Sequence, residues 1–219
     1  MPVLESPTTF ESPVVIIVED DTRVRKSLQC LLRSAGLPSI GYGSASELLD
    51  RPLPDSARCL ICDIRLPNLN GFDLKATLEQ RGESIAVIFI TGHGDIPMSV
   101  RAMKGGAIDF LEKPFQDQEL LDAVREALAT DCRRREAVMR LKDLRARLDR
   151  LSPREREVLS GVGSGRLNKQ IANDLGLSEI TVKLHRANLM RKMKAGSFAE
   201  LVRIIQIIET GAVPDHTRV

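Results

Sequence analysis

The stretch "RCLICDIRLPNLNG", residues 58–71, decides how this chain is built. Cys59, Leu60, Ile61 and Cys62 form an apolar run without polar alternation, the pattern of a strand covered on both faces. The run ends in a lone carboxylate, Asp63. Pro67 and Gly71 follow at intervals of four. They read as a turn that is stiffened by the proline and that the glycine lets open into the next helix. Cys59 and Cys62 make a C-x-x-C, but an odd spacing on a strand sends the two thiols to opposite faces. No second Cys/His pair stands at zinc spacing. All four cysteines (Cys30, Cys59, Cys62, Cys132) read as reduced thiols.

Outward from this stretch the same unit recurs. "VVIIVE" (14–19), "AVIFIT" (86–91) and "AIDFLEK" (107–113) are further strand-like runs. Between them lie helical patterns. "TRVRKSLQCLLRSAG" (22–36) aligns Val24, Leu28, Leu31 and Leu32 on one face and stops at Gly36. "SASELL" opens with a capping box of Ser44 and Glu47. "GFDLKATLEQRG", "MSVRAMKGG" and a segment from about Asp117 continue the alternation. Alternation of strands with helices over residues 13–130 predicts an α/β doubly wound, five-stranded parallel sheet, four of whose strands are the runs quoted. Such sheets bind ligands outside the carboxyl ends of their strands. Glu19, Asp20, Asp21, Asp63, Thr91 and Lys113 all fall there. Crowded carboxylates repel one another unless a cation is present, and an all-oxygen site with room for water suits Mg²⁺ or Mn²⁺. With Lys113 as a fixed charge and Thr91 as a hydroxyl donor, the set is built to hold a phosphoryl group on Asp63.

These residues resemble the receiver domain of two-component response regulators. The match rests on the acidic pair Glu19 and Asp20, on Asp63 and Thr91, and on Lys113 followed by Pro114; Pro67 and Gly71 match the loop of that family. The resemblance implies that a sensor histidine kinase phosphorylates Asp63, that Lys113 and Thr91 assist, and that the Lys113-Pro114 bond is cis. It implies metal ligation by Glu19, Asp20, Asp63 and the backbone carbonyl of Arg65, and a switch formed by Thr91 and Phe110. Glu19 departs from the usual Asp, but its longer arm still reaches a metal-bound water. Arg65 and His93, two residues after Asp63 and Thr91, flank the approach of a hydrolytic water. They are either determinants of phosphate lifetime or a solvated Arg and a loop His. "TGHGDIPMSVRAMKGGAIDFLEKPF" (91–115) is similar to the FixJ subgroup. A haloacid-dehalogenase-like phosphatase is the competing enzyme reading; it calls for D-x-D after the first strand, whereas here the acids are contiguous and the best nucleophile ends the third.

The 219 residues allow one large domain or two small ones, and no run approaches the roughly 18 apolar residues of a membrane span. "MPVLESPTTFESP" lacks the basic and apolar regions of a secretory signal; residues 1–12 read as a disordered lead and the protein as cytoplasmic. The formal charge of +2 hides an asymmetry. From Arg150 onward there are about 12 basic and about 7 acidic residues, while the rest of the chain is slightly acidic. The two halves should meet different partners. Between them, "RRREAVMRLKDLRARLDRL" (133–151) sets Leu141, Leu144, Leu148 and Leu151 at a and d spacing, extended less well by Arg134 and Ala137. Residues 131–150 therefore read as a helical linker, either a short coiled coil between two chains or a solvated spacer.

The basic half, residues 151–211, is a series of short helices. Ser152 and Glu155 form a capping box with Pro153 at the first helical position. "GVGSG" (161–165) breaks that helix, Asn168 can cap the next, and Ser178 caps a third. Ser197 and Glu200 box a fourth, which ends near Gly211. Advancing about 100° per residue from Val182 returns Leu189 and Met193 to its side. Lys183, Leu184, Ala187, Asn188 and Arg191 lie opposite, with His185 and Arg186 toward the flanks. Small and hydrogen-bonding residues bordered by cations suit a major groove, and the short helix before it completes a helix-turn-helix. "SPREREVL" (152–159) and "NKQIANDLGLSEITVKLHRANLMRKMKA" (168–195) resemble the LuxR-type helix-turn-helix. That resemblance implies base contacts by Lys183, Leu184 and Ala187. Asn188, His185, Arg186, Arg191, Asn168 and Lys169 join the DNA-facing set. It also implies dimerisation through the last helix, where Leu201, Ile204, Ile205 and Ile208 form an apolar stripe. Residues 212–219 read as a disordered tail. Together the two halves are similar to the FixJ/NarL response-regulator architecture: a regulator, not an enzyme, that binds double-stranded DNA as a homodimer when phosphorylated and engages RNA polymerase to activate transcription. A basic interaction module without sequence choice is the remaining alternative.

Overall fold

The computed structural model describes residues 12–92, 94 and 96–211. The predicted lead up to residue 11, His93 and the predicted tail lie outside the described residues. The chain divides between Arg133 and Arg134 into two compact units. In the first, β1 (Val14–Val18), β2 (Ser39–Tyr42), β3 (Ala57–Asp63), β4 (Ala86–Thr91) and β5 (Asp109–Glu112) form a parallel sheet in the order β2-β1-β3-β4-β5. The order reverses between β1 and β3, which opens a crevice at their carboxyl ends. Helices α1 (Thr22–Ser34), α2 (Ala45–Leu49), α3 (Gly71–Gln80), α4 (Ile96–Lys104) and α5 (Asp117–Asp149) alternate with the strands.

Alternation along the strands feeds two cores. Val15, Ile17, Cys59, Ile61, Ile88 and Ile90 pack with Leu28 and Leu32 of α1 and Leu120 and Val124 of α5. Ile16, Val18, Leu60, Cys62, Val87 and Phe89 pack with Leu48, Leu74, Leu78 and Ala102 on the other face. With both faces covered, β1 and the middles of β3 and β4 are apolar without alternation, as the opening run predicts. Cys59 and Cys62 fall in different cores, both fully buried, and burial pushes both thiols well above their ordinary range. They are therefore inert packing groups rather than a redox or metal pair. The strand that the sequence did not single out is β2, four residues at the sheet edge with a glycine inside, too short for a period to show.

The second unit holds the end of α5 with α6 (Pro153–Gly163), α7 (Asn168–Leu175), α8 (Glu179–Met193) and α9 (Phe198–Thr210). Ser152 and Glu155 close a capping box with Pro153 in the first turn, and Ser178 and Ser197 cap α8 and α9. Asn168 is not a cap: Leu167 holds that position, and its backbone N–H donates to Gln170 Oε1 at 2.9 Å. The amide of Asn168 is taken instead by Arg186. Leu144 and Leu151 are buried in the core of this unit, and Leu141 and Leu148 pack against it. The leucine seam is therefore neither a two-chain coiled coil nor a solvated spacer. The seam adds Leu144 and Leu151 to the core that α6 to α9 build. Leu201 and Ile204, expected in a dimer stripe, are core residues together with Ile207, while Ile205 and Ile208 are only half-buried. Among the described residues no helix is long and apolar enough to cross a membrane.

Candidate functional site

The crevice between β1 and β3 gathers the predicted groups of the first unit. Glu19 follows β1 and is buried, Asp63 ends β3 and is buried, and Asp20 beside them is exposed. Their ligand oxygens lie within 4.8 Å of one another. Lys113, after β5, reaches back to bridge the acids: its Nζ lies 2.5 Å from Glu19 Oε2 and 2.7 Å from Asp63 Oδ2. Burial raises the Glu19 carboxyl above its ordinary value, against the opposing pull of Lys113. Burial works against the Lys113 ammonium too, but its hydrogen bonds to Asp63 and Glu19 outweigh it and raise its pKa. This is an electrostatically tense, oxygen-rich site with one fixed cation. Hard divalent ions such as Mg²⁺ take such donors, and the residues present fit one.

Local chemistry explains the presentation of Asp63. The backbone N–H of Arg65 donates to Asp63 Oδ1 at 2.8 Å, fixing the carboxylate; the Arg65 side chain is exposed. The start of α3 lies directly against the end of β3. The Gly71 N–H donates to Ile64 O at 2.9 Å, and a Cβ on Gly71 would stand 2.7 Å from Asp63 O and 2.9 Å from Cys62 Sγ. Gly71 is there for this close approach, a reason beyond the turn that the sequence suggested. Thr91 ends β4 and is fully buried, and its carbonyl accepts from the Lys113 N–H at 2.7 Å. The Lys113-Pro114 bond is cis. Phe110 is half-buried against the core, with Gly94 close to its ring edge. The Gly94 N–H donates to Glu112 Oε1 at 3.2 Å, a tie between the loop after β4 and β5 that no sequence pattern announces. Asp21 does not join the cluster: its carboxylate caps α1, accepting from the N–H groups of Arg23 and Val24. His93 lies outside the described residues.

In the second unit the rotation of α8 is as its apolar spacing requires. Val182, Leu189 and Met193 are buried; Lys183, Leu184, Ala187 and Arg191 are exposed, and His185, Arg186 and Asn188 are half-buried. Arg186 is engaged within the fold. Its Nη1 donates to Asn168 Oδ1 at 2.5 Å, and its guanidinium lies 5.4 Å from the Phe198 ring centroid. Lys169 is exposed at the start of α7. Sequence reasoning missed Ile180. It stands on the outer face, yet a count that runs forward from Val182 never reaches it; two steps backward place it at about 160°, beside Leu184 at about 200°.

Comparison with known proteins accounts for both halves. Residues 15–125 match the response regulator receiver domain, and residues 149–205 match the luxR family of bacterial regulatory proteins. Nodulation protein W of Bradyrhizobium diazoefficiens is 50% identical over 204 residues, covering 93% of this chain and 89% of that protein. Transcriptional regulatory protein FixJ of Azorhizobium caulinodans is 43% identical over 207 residues, covering 94% and 98%. The solved structure of the response regulator StyR is 43% identical with a TM-score of 0.78, covering 90% of this chain and 99% of that one. A carboxylate crevice on a doubly wound sheet, a helix-turn-helix later in the chain and relatives along nearly the whole length leave one assignment: the chain belongs to the two-component response regulators of the FixJ type, a receiver domain followed by a LuxR-type DNA-binding domain.

Proposed function

We propose that phosphorylation of Asp63 by a partner histidine kinase controls sequence-specific binding of the second unit to double-stranded DNA, and thereby transcription. The observation that carries this reading is Lys113 held between Glu19 and Asp63 at the crevice of the sheet. In the transfer, a carboxylate oxygen of Asp63 attacks phosphorus, the phosphorus–nitrogen bond of the donor phosphohistidine breaks, and the imidazole keeps the electron pair and takes up a proton. Lys113 and the Thr91 hydroxyl then meet the new phosphoryl oxygens, and Phe110 follows the movement of Thr91. Glu19, Asp20, Asp63 and the carbonyl of Arg65 would hold Mg²⁺ or Mn²⁺, which supplies positive charge to the transferring group. Arg65 and His93 limit the approach of hydrolytic water.

In the second unit Lys183, Leu184 and Ala187 face the bases. Asn188, His185, Arg186, Arg191, Asn168 and Lys169 serve the backbone or the orientation of α8. The half-buried Ile205 and Ile208 remain for a homodimer contact, since Leu201 and Ile204 are spent on the core. The protein acts in the cytoplasm on promoter DNA with RNA polymerase, as an activator. It is a regulator that assists its own phosphotransfer and turns over no outside substrate. Relatives named as a transcriptional regulatory protein and a response regulator support this. The test is intact mass after incubation with acetyl phosphate and Mg²⁺. The wild type should gain one phosphoryl group and Asp63→Asn none; equal labelling of the two would remove Asp63 from the reading.

A further inference from the structure

Ile180 and Leu184 are 79% and 61% exposed, four residues apart on α8. Large apolar side chains left in water singly mean little. These two form a pair on the outermost line of the helix, while the inner side of α8 is complete without them in Val182, Leu189 and Met193. Exposed Lys183 and Arg191 stand on the same face. An apolar strip set among cations is complementary to an anionic surface that carries apolar points, which describes a DNA major groove containing thymine. Every other base edge there offers hydrogen-bonding atoms, whereas thymine alone adds a methyl group, at C5. Ile and Leu pressed on a guanine, adenine or cytosine edge would strip water from polar atoms and return nothing.

We propose that Ile180 and Leu184 read thymine C5-methyl groups, and that Ile180 is a specificity-determining residue in its own right. The inference rests on the DNA-reading role given above to α8. Ile180 is the second residue of α8, and the first residues of a reading helix come nearest the base edges. Four residues advance about 6 Å along the axis, while base pairs stack about 3.4 Å apart. The two methyls therefore lie within about two base-pair steps of each other in each half-site, on either strand.

The experiment begins with selection of bound DNA from a random pool, using the full chain with acetyl phosphate and Mg²⁺. Deoxyuridine then replaces thymidine one position at a time in the selected operator, which removes the methyl and nothing else. Wild type should lose about fourfold in affinity per half-site at two positions, the worth of one apolar carbon returned to water. Ile180→Ala should bind the full operator less tightly, become indifferent to deoxyuridine at one of those positions and keep its sensitivity at the other; Leu184→Ala should show the reverse. Both variants should melt like the wild type, because neither side chain is in the core. A wild type indifferent to deoxyuridine throughout, or an Ile180→Ala that keeps its full sensitivity at both positions, overturns the inference and leaves DNA reading by α8 intact. A pool that yields no enriched sequence overturns the DNA-reading role and the inference with it.

Discussion

At Gly71 one hydrogen atom decides how closely the start of α3 can approach Asp63. The backbone there is ordinary helix start, so alanine would suit the conformation but not the space, with Asp63 O only 2.7 Å from the added carbon. Gly71→Ala should destabilise the receiver by about 1–3 kcal/mol, the usual cost of overpacking, and a lowered urea midpoint of the receiver transition would show it. Glu155 makes the opposite case, a residue whose charge is wanted. Its hydrogen bond with Lys192 at 2.6 Å, then its bonds at the start of α6, hold its pKa below the ordinary 4.5. A depressed carboxyl stabilises the fold above the unfolded value, and the benefit disappears as pH falls from about 4.5 through the lower folded value. Glu155→Gln keeps the shape of the capping box and loses the charge. It should cost about 1 kcal/mol at pH 7, and the cost should shrink as pH falls through the lowered folded value, so that its denaturation midpoints approach those of the wild type in acid.

At the scale of elements, α5 is the instructive one. Its first turns belong to the core beside α1, through Leu120 and Val124. Its last turns, through Leu141, Leu144 and Leu148, belong to the core of the DNA-binding unit. The match to the luxR family begins only at residue 149, so the folded unit starts earlier than the family pattern. A fragment beginning at residue 134 should melt cooperatively, and one beginning at 149 should be markedly less stable. Leu144→Ala in the full chain should cost about 2–5 kcal/mol, as buried leucines do, and the loss should appear in the transition of the second unit. A Leu144→Ala protein as stable as the wild type would return the seam to solvent or to a partner helix.

For the whole molecule, two units with separate cores should respond separately to ligands. A divalent cation that binds the folded carboxylate crevice stabilises only the unit that contains it, by about 2.7 kcal/mol at a hundred times its dissociation constant. Titrating Mg²⁺ in calorimetry should therefore raise the receiver transition and leave the second unit where it was; Asp20→Ala should blunt the rise. A shift of both transitions together would mean that the units melt as one body. The charge asymmetry belongs to this scale too, because the acidic crevice and the basic helix α8 lie on different units.

The doubly wound sheet, the convergence of Glu19, Asp63, Thr91 and Lys113, and the rotation of α8 were all legible in the sequence. Each follows from a local period or from the rule that strand ends share an edge, and neither requires knowledge of what packs where. The edge strand β2 was not legible, since four residues with a glycine carry no period. Nor was the diversion of Asp21 to a helix cap, because three adjacent acids look alike until a backbone N–H claims one. The leucines of α5 and the isoleucines of α9 were read correctly as apolar stripes. A stripe states that a face must be covered, but its period is the same whether the cover is a second chain or the chain's own neighbouring helices. Only the tertiary structure, by placing Leu144, Leu201 and Ile204 in one core, decides between them.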